Sequence, residues 1–315
     1  MPKPRLDRNN AIFFLLPALI LIIAFYILPL IVTAWVSFTP LRNWRVSLLT
    51  EFIGLKNYEN LFHFVAKHPL GGLVVKTTIV FVAFTLIVNV LGGLLLAIMT
   101  YIIEERVSLS FRLLWLLPRM TPLAVFGLIW YYFFYGSPEG TLNAFLLRLG
   151  LIDNPHFWGT EPQFLPWSAW SIIVFVNGIV GVSYGLIIFY SAFKNIPPEL
   201  IVAARVDGAS TWQIVRHILV PMTRWHLVFV TVWQLLSLVT SYTHLFVLVD
   251  WRIVDEWYGT TWALFVFNEA FGAVKNQGLA AAAAVILVII GSLLGLLTLR
   301  IMRFGKITPQ PRGDI

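Results

Sequence analysis

The 315-residue sequence contains no cysteine. That excludes disulfides, a cysteine-ligated zinc site and thiolate catalysis, and leaves the redox compartment open. Charge is scarce as well. Only 12% of residues are Asp, Glu, Lys or Arg, against 59% hydrophobic, where a soluble domain carries roughly a quarter charged. Such a chain falls in the membrane class. Its net charge of +7 does not point to nucleic acid, because the basic residues sit at the ends of apolar runs rather than on one face. Two further absences bear on energy supply. All fifteen Asp and Glu fall in loops and termini, none inside an apolar run. Ion-coupled carriers usually bury acids as relays or ion ligands, although backbone carbonyls also bind sodium. No G-x-x-x-x-G-K-[ST] occurs, so the chain has no P-loop of its own. Uphill transport would draw its energy from a partner. The six histidines, at 63, 68, 156, 217, 226 and 244, are scattered and form no H-x-x-x-H pair, and neither a triad nor a metal cluster supports a membrane-bound enzyme.

What is present is a set of long apolar runs. A helix needs roughly 20 apolar residues to cross a bilayer core, and six runs qualify: 11–38, 77–103, 113–135, 168–193, 225–249 and 279–299. They are continuous rather than alternating, which predicts helices and not barrel strands. The first run is too long for a signal-peptide core of about 7–15 residues, and no small-x-small site closes it. It reads as an uncleaved first transmembrane helix. Lys and Arg number thirteen in the 66 residues of segments 1–10, 104–112, 194–224 and 300–315, and eight in the 101 residues of 39–76, 136–167 and 249–279. The positive-inside bias assigns the first set to the cytoplasm. The expected fold is an all-α membrane protein with six transmembrane helices and both termini cytoplasmic.

Several polar residues interrupt the runs. Arg119, in LLPRMTP between Pro118 and Pro122, would cost at least about 2.5 kcal/mol at the centre of the membrane. One reading is an arginine snorkelling at a helix start that the prolines kink. The other is a residue facing a pathway or a partner subunit. Asn89, Asn177, Ser183, Tyr184, Gln234, Ser237, Thr240, Ser241 and Tyr242 are uncharged but polar. They serve either as hydrogen-bonding contacts between helices or as the lining of a water-accessible cavity. Amides, hydroxyls and rings such as Trp130, Trp233 and Tyr242 suit an uncharged polyol such as a sugar, although interfacial anchoring also uses Trp and Tyr. As candidate pathway residues we take Asn89, Asn177, Tyr184, Trp233, Gln234, Ser237 and Tyr242. Small residues mark helix contacts: Gly92-Gly93, and the G-x-x-x-G of Gly291 and Gly295.

The segment 195–221, NIPPELIVAARVDGASTWQIVRHILVP, lies in the longest inner loop. Pro198 and Glu199 suit a helix start. Asp207-Gly208 supplies a left-handed stop, and Ser210 with Gln213 forms a capping box for a second helix that Pro221 ends. Leu200, Ala203, Ala204, Trp212, Val215 and Ile218 recur at helical spacing. The product is two short helices at a glycine elbow. It either packs on the membrane surface or under its own bundle, or projects as a knob.

This segment resembles the EAA loop of ABC-importer permeases, whose pattern is EAA, three residues, G, nine residues, I, one residue, LP. Ala203, Ala204, Gly208, Ile218 and Pro221 fall in register, and IPPEL with VDGAS looks like the carbohydrate branch. Val202 stands where the glutamate is expected and Val220 where the leucine is. LLPALILIIAFYILPLIVTAWVSF, EFIGLKNYENLF and the spacing of the six runs are similar to the maltose- and glycerol-phosphate-type permeases. The resemblance implies a type I importer fold over 73–300. A tail, first helix and outer loop occupy 1–72, and a cytoplasmic tail occupies 301–315. It implies a non-catalytic permease subunit of the cell membrane, paired with a second six-helix permease, two cytoplasmic ATPases and an extracellular solute-binding protein. This chain would bind no cofactor, since ATP and Mg belong to the ATPases. The coupling contact would fall on Glu199, Ala203, Ala204, Arg205, Asp207, Gly208, Ser210 and Trp212. An ion-coupled carrier or facilitator working alone is the rival reading. The charged, aromatic loop 250–269 reads as a binding-protein contact or an interfacial loop, and the RGD near the C-terminus as chance.

Overall fold

The computed structural model describes residues 8–302, with side chains from residue 14 onward. The terminal segments, among them the RGD tripeptide, lie outside the described residues. All regular elements among the described residues are helices. In chain order the longer ones are α1 (Phe14–Val36), α2 (Lys56–Lys67), α3 (Pro69–Ile102), α4 (Glu105–Met120), α5 (Leu123–Phe133), α6 (Thr141–Arg148), α7 (Trp167–Lys194), α8 (Pro198–Val206), α9 (Arg224–Val239), α10 (Thr243–Asp250), α11 (Trp262–Phe271) and α12 (Gln277–Ile301). Among the described residues, four helices, α1, α3, α7 and α12, are long and apolar enough to cross a membrane. The number rises to six if the bent pairs α4–α5 and α9–α10 each count as one span.

The two bent runs are where the expected straight spans differ from the structure. The chain turns by 98° between α4 and α5. Pro122 has no amide hydrogen and drives the residue before it out of the helical region. Thr121 accordingly sits at φ −68°, ψ 126°. Between α9 and α10 the bend is 42°. There the Thr240 hydroxyl donates back to the Leu236 carbonyl at 3.0 Å, and Tyr242 leaves the helix at φ −134°. In the other direction, α3 begins at Pro69, eight residues before the expected 77. The pair Gly71-Gly72 disguised it as loop, but Pro69 fits the first helical turn, and the His68 ring accepts from the Leu70 amide at 3.3 Å.

The chain divides into two compact units. The first comprises the residues up to Lys67 together with Phe265–Val288. Its pin is Asn57, in the EFIGLKNYENLF stretch. Its amide donates to the carbonyls of both Ser37 and Thr39, each at 2.9 Å, closing the chain as it leaves α1. The Gly278 amide donates to the Leu41 carbonyl at 2.9 Å, and Phe64 stacks on Phe265 with centroids 5.0 Å apart.

The second unit comprises His68–Leu264 and the residues from Ile289. Its axis is the packing of α7 along α3. Glycine makes the approach possible. A Cβ added at Gly93 would lie 2.8 Å from the Gly185 Cα, one at Gly92 would lie 2.9 Å from the Val182 side chain, and one at Gly178 would lie 2.8 Å from that of Val88. Backbones this close gain dispersion contacts that lipid cannot match. Gly92-Gly93 is thus the contact the sequence suggested, while the matching stripe on α7 (Gly178, Gly181, Gly185) is a finding of the structure. Gly291 and Gly295 face α9 more loosely, at 3.6 Å from Val239 and 3.3 Å from Leu236.

Valine at position 93 would collide with backbone, and overpacking of this kind costs about 1–3 kcal/mol. Gly93→Val should therefore lower the thermal midpoint of the purified protein in detergent, while Gly295→Ala, facing only a flexible leucine, should leave it unchanged. A wild-type midpoint for Gly93→Val would refute the close crossing.

Candidate functional site

Two features of the second unit stand out chemically. The first is a cavity of about 290 Å³, close to the lower end of the roughly 300–1,000 Å³ range of small-molecule sites. Its lining comes from one face of each contributing helix. Asn177, Gly181 and Tyr184 are spaced by four and three residues on α7; Trp233 and Ser237 are four apart on α9; Ser241 and His244 continue that stripe across the break. Arg119 adds its guanidinium from the end of α4. Tyr184 and Trp233 stack with centroids 6.0 Å apart and planes 16° from parallel.

Of the sequence-derived pathway residues, Asn177, Tyr184, Trp233, Gln234 and Ser237 line this cavity. Asn89 sits elsewhere. It is fully buried on α3, where its Nδ2 donates to Gln234 Oε1 at 3.4 Å, and Gln234 Nε2 donates to the Gly181 carbonyl at 2.8 Å. That relay ties α3, α9 and α7 together, so Gln234 serves the helix contact as well as the lining. Tyr242 lies at the α9–α10 break and is not among the lining residues. His244 was not singled out from the sequence. The spacing Ser237, Ser241, His244 was the available signal, hidden because a lone histidine in an apolar run reads as core. Arg119, whose place the sequence left open, faces the cavity. Its Cζ lies 5.4 Å from the Tyr184 ring centroid, and it forms neither ion pair nor hydrogen bond with any described residue.

The second feature is the elbow. α8 begins with Pro198 in its first turn, and Gly208, at φ +80°, ends it. The Ala209 amide closes the stop on the Ala204 carbonyl at 2.9 Å. Ser210 then caps the next helix: the Gln213 amide donates to Ser210 Oγ at 3.3 Å, and the Ser210 amide donates to Gln213 Oε1 at 2.7 Å. The capping box expected from the sequence is thus formed. Pro221 does not stop the chain where expected. The turn widens over Val215–Leu219, and helix resumes over Val220–Met222. A widened turn absorbs the amide that proline lacks.

The elbow has two faces. Ile201, Ile214 and Val215 are buried in one cluster with Phe189, Phe193 and Ile196 at the end of α7. Val202, Val206 and Trp212 are exposed, Val206 at 81% and Trp212 at 67%. Packing under the bundle and projecting outward are therefore both realised, on opposite sides. The helical spacing read from the sequence mixed the two sets, because Leu200 and Trp212 belong to the exposed side. Just ahead of the elbow, Glu105 gathers three donors: Arg112 Nη2 at 2.7 Å, Lys194 Nζ at 2.8 Å and the Tyr190 hydroxyl at 2.8 Å. The Arg112 guanidinium lies 3.6 Å from the Tyr190 ring centroid. This clamp, which no sequence motif announced, joins the start of α4 to the end of α7.

Comparison with known proteins places these features in context. The family model described as "Binding-protein-dependent transport system inner membrane component" matches residues 89–304. The probable ABC transporter permease protein YurN of Bacillus subtilis is 28% identical over 302 residues, 93% of this chain and 96% of the relative. The lactose transport system permease protein LacF of Rhizobium radiobacter is 22% identical over 290 residues, 91% of this chain and 92% of the relative. A chain of a bacterial ABC transporter involved in import of the acidic polysaccharide alginate superposes with a TM-score of 0.75 at 19% identity, covering 95% of this chain and 96% of its own.

Removing the Ser210 hydroxyl costs a helix cap, typically about 1 kcal/mol. Ser210→Ala should raise amide hydrogen exchange across 208–214 several-fold and leave exchange in α7 unchanged. Unaltered exchange in the elbow would show that the box carries no local stability.

Proposed function

We propose that this chain, which belongs to the binding-protein-dependent transport system inner membrane components, works as the membrane half of an ATP-driven importer of a sugar or oligosaccharide. It is a permease subunit of the ABC type and a multi-pass membrane protein. Six spans, counting each bent pair as one, keep both termini in the cytoplasm of a cell or inner membrane, with the permease core over 73–300. A second permease subunit supplies the other wall of the pathway. Two cytoplasmic ATPases hold ATP and Mg, and an extracellular binding protein delivers the solute. The name of the lactose relative supports the sugar class. So does the lining chemistry, in which Asn177, Ser237 and Ser241 offer hydrogen-bonding groups beside the Tyr184–Trp233 ring pair.

The observation that carries the coupling step is the two-faced elbow. Its inner face is embedded in the bundle and its apolar outer face is free. A fixed, exposed hydrophobic knob on a soluble-facing loop is costly unless a partner covers it. ATP-driven closure of the ATPases pushes this knob, and the embedded face passes the displacement to α7. Glu199, Ala203, Ala204, Arg205, Asp207, Gly208, Ser210 and Trp212 form the contact or hold its shape. With Val202 in place of an acid, the contact is apolar at that point. The rival reading, a carrier driven by an ion alone, gains no support from the lining, which contains no carboxylate.

Reconstitution with the partner permease, the ATPases and the binding protein tests this. Uptake into proteoliposomes should require ATP and every subunit. Gly208→Val forces a β-branched residue to φ +80°, a strain of about 1–3 kcal/mol. It should leave the subunits assembled and hydrolysing ATP while solute uptake falls at least tenfold. Wild-type uptake in that variant, or uptake by the chain without an ATPase, would overturn the proposal.

A further inference from the structure

The importer reading leaves the charge of the solute open, and the cavity bears on it. Arg119 projects into a space whose lining includes no Asp or Glu. Arg119 is therefore the one residue of the lining with a fixed charge. Ring contact with Tyr184 at 5.4 Å contributes through cation–π attraction, but a ring leaves the donor edge of a guanidinium unused. No described residue accepts from that edge. The Arg119 side chain is exposed, so that edge is open to a bound solute. Its planar fork matches a carboxylate or phosphate through two parallel hydrogen bonds.

The surroundings fit an anion that also carries hydroxyls. The side chains of Asn177, Ser237 and Ser241 are hydrogen-bonded to no described residue. The Tyr184–Trp233 pair offers a flat apolar wall beside the guanidinium. Arg119 is the penultimate residue of α4, immediately before the 98° turn, so its placement is set by Pro122 and the bend rather than by a flexible loop.

We infer that the solute handled by this cavity is an anionic sugar or polyol, a carboxylated or phosphorylated one, and that Arg119 receives its charge. The inference rests on the importer reading and names the solute class that reading left open. A neutral solute, with Arg119 neutralised by an acid of the partner permease, is the competing arrangement.

The test uses the assembled transporter with its partner permease, ATPases and binding protein. ATP-driven uptake into proteoliposomes and equilibrium binding in nanodiscs are measured for matched probes. These are glucose and lactose as neutral sugars, glucuronate and digalacturonate as carboxylates, and glucose 6-phosphate and glycerol 3-phosphate as phosphates. At least one anionic probe should bind and be taken up at least tenfold better than its neutral counterpart. The arm that responds separates carboxylate from phosphate. Arg119→Gln should abolish the preference, and Arg119→Lys should keep part of it. Uptake of neutral probes without preference for charge would overturn the inference. So would a preference that survives Arg119→Gln, or an equal loss of neutral and anionic uptake in that variant. Should Arg119→Gln fail to assemble, the wild-type panel and Arg119→Lys decide: indifference to charge in the wild type sinks the inference. Absence of ATP-driven uptake of every probe would overturn the importer reading instead.

Discussion

Backbone amides in hydrocarbon have no water to bond, so a spanning helix breaks only where protein or a wet cavity takes over the freed groups. This constraint organises the second unit. Its two bent helix pairs break at 120–122 and 240–242, and a residue at or beside each break, Arg119 and Ser241, lines the same cavity. The unbroken α3 and α7 supply the complementary rigid part. They approach until Gly93 touches the Gly185 backbone, which leaves no room between them for solute. Polar lining, broken helices and a glycine-packed rib are thus one arrangement seen from three sides.

The elbow obeys a different constraint. Much of it is exposed, yet its ends are closed as tightly as a buried turn. The Gly208 stop satisfies the end of α8, and the Ser210–Gln213 box satisfies the start of the next helix within the following residues. Ile201, Ile214 and Val215 anchor it in the cluster around Phe189 and Phe193. An exposed salt bridge is worth little alone. The Glu105 clamp differs in sharing one carboxylate among Arg112, Tyr190 and Lys194, with Arg112 also over the Tyr190 ring. Its role is orientation: it fixes the last turn of α7, from which the elbow departs.

Much of this was legible in the sequence, for identifiable reasons. Apolar length locates helices because hydrocarbon thickness is nearly constant, and α7 and α12 differ from their expected limits by only a residue or two at each end. Capping is local chemistry, so the Ser210 box and the Gly208 stop could be read from adjacent letters. What sequence could not give were quantities that depend on partners distant in the chain. Nothing in the letters around Asn89 tells whether it meets solute or Gln234, 145 residues away. The bend at Thr121 was visible as a proline, but its 98° magnitude, which turns a kinked span into two helices, depends on what packs around it. Glu105 was one acid among several in a loop until the fold brought Lys194 to it. Pro221 failed as a stop because a widened turn upstream accommodated it, a choice that tertiary packing of Val215 and Leu219 makes rather than the local sequence.

α7 joins the two features through its own length. Asn177 and Tyr184 face the cavity, Phe189 and Phe193 hold the elbow, and Lys194 closes the clamp. From Tyr184 to Lys194 is ten residues, about 15 Å of continuous helix at 1.5 Å per residue. No glycine or proline interrupts that stretch after Gly185, and Leu186, Phe189 and Phe193 within it are fully enclosed. A helix with packed flanks moves as a unit rather than bending, since deformation would open voids that cost packing energy. Under the proposed coupling, a displacement applied at the elbow would arrive at the cavity wall as a shift or rotation of the Asn177–Tyr184 face. That face includes the ring nearest Arg119, and Trp233 on α9 is stacked against it. Movement of α7 relative to α9 would part the stacked rings beside the guanidinium, so in the proposed mechanism the lining of the cavity responds directly to the motion of the elbow.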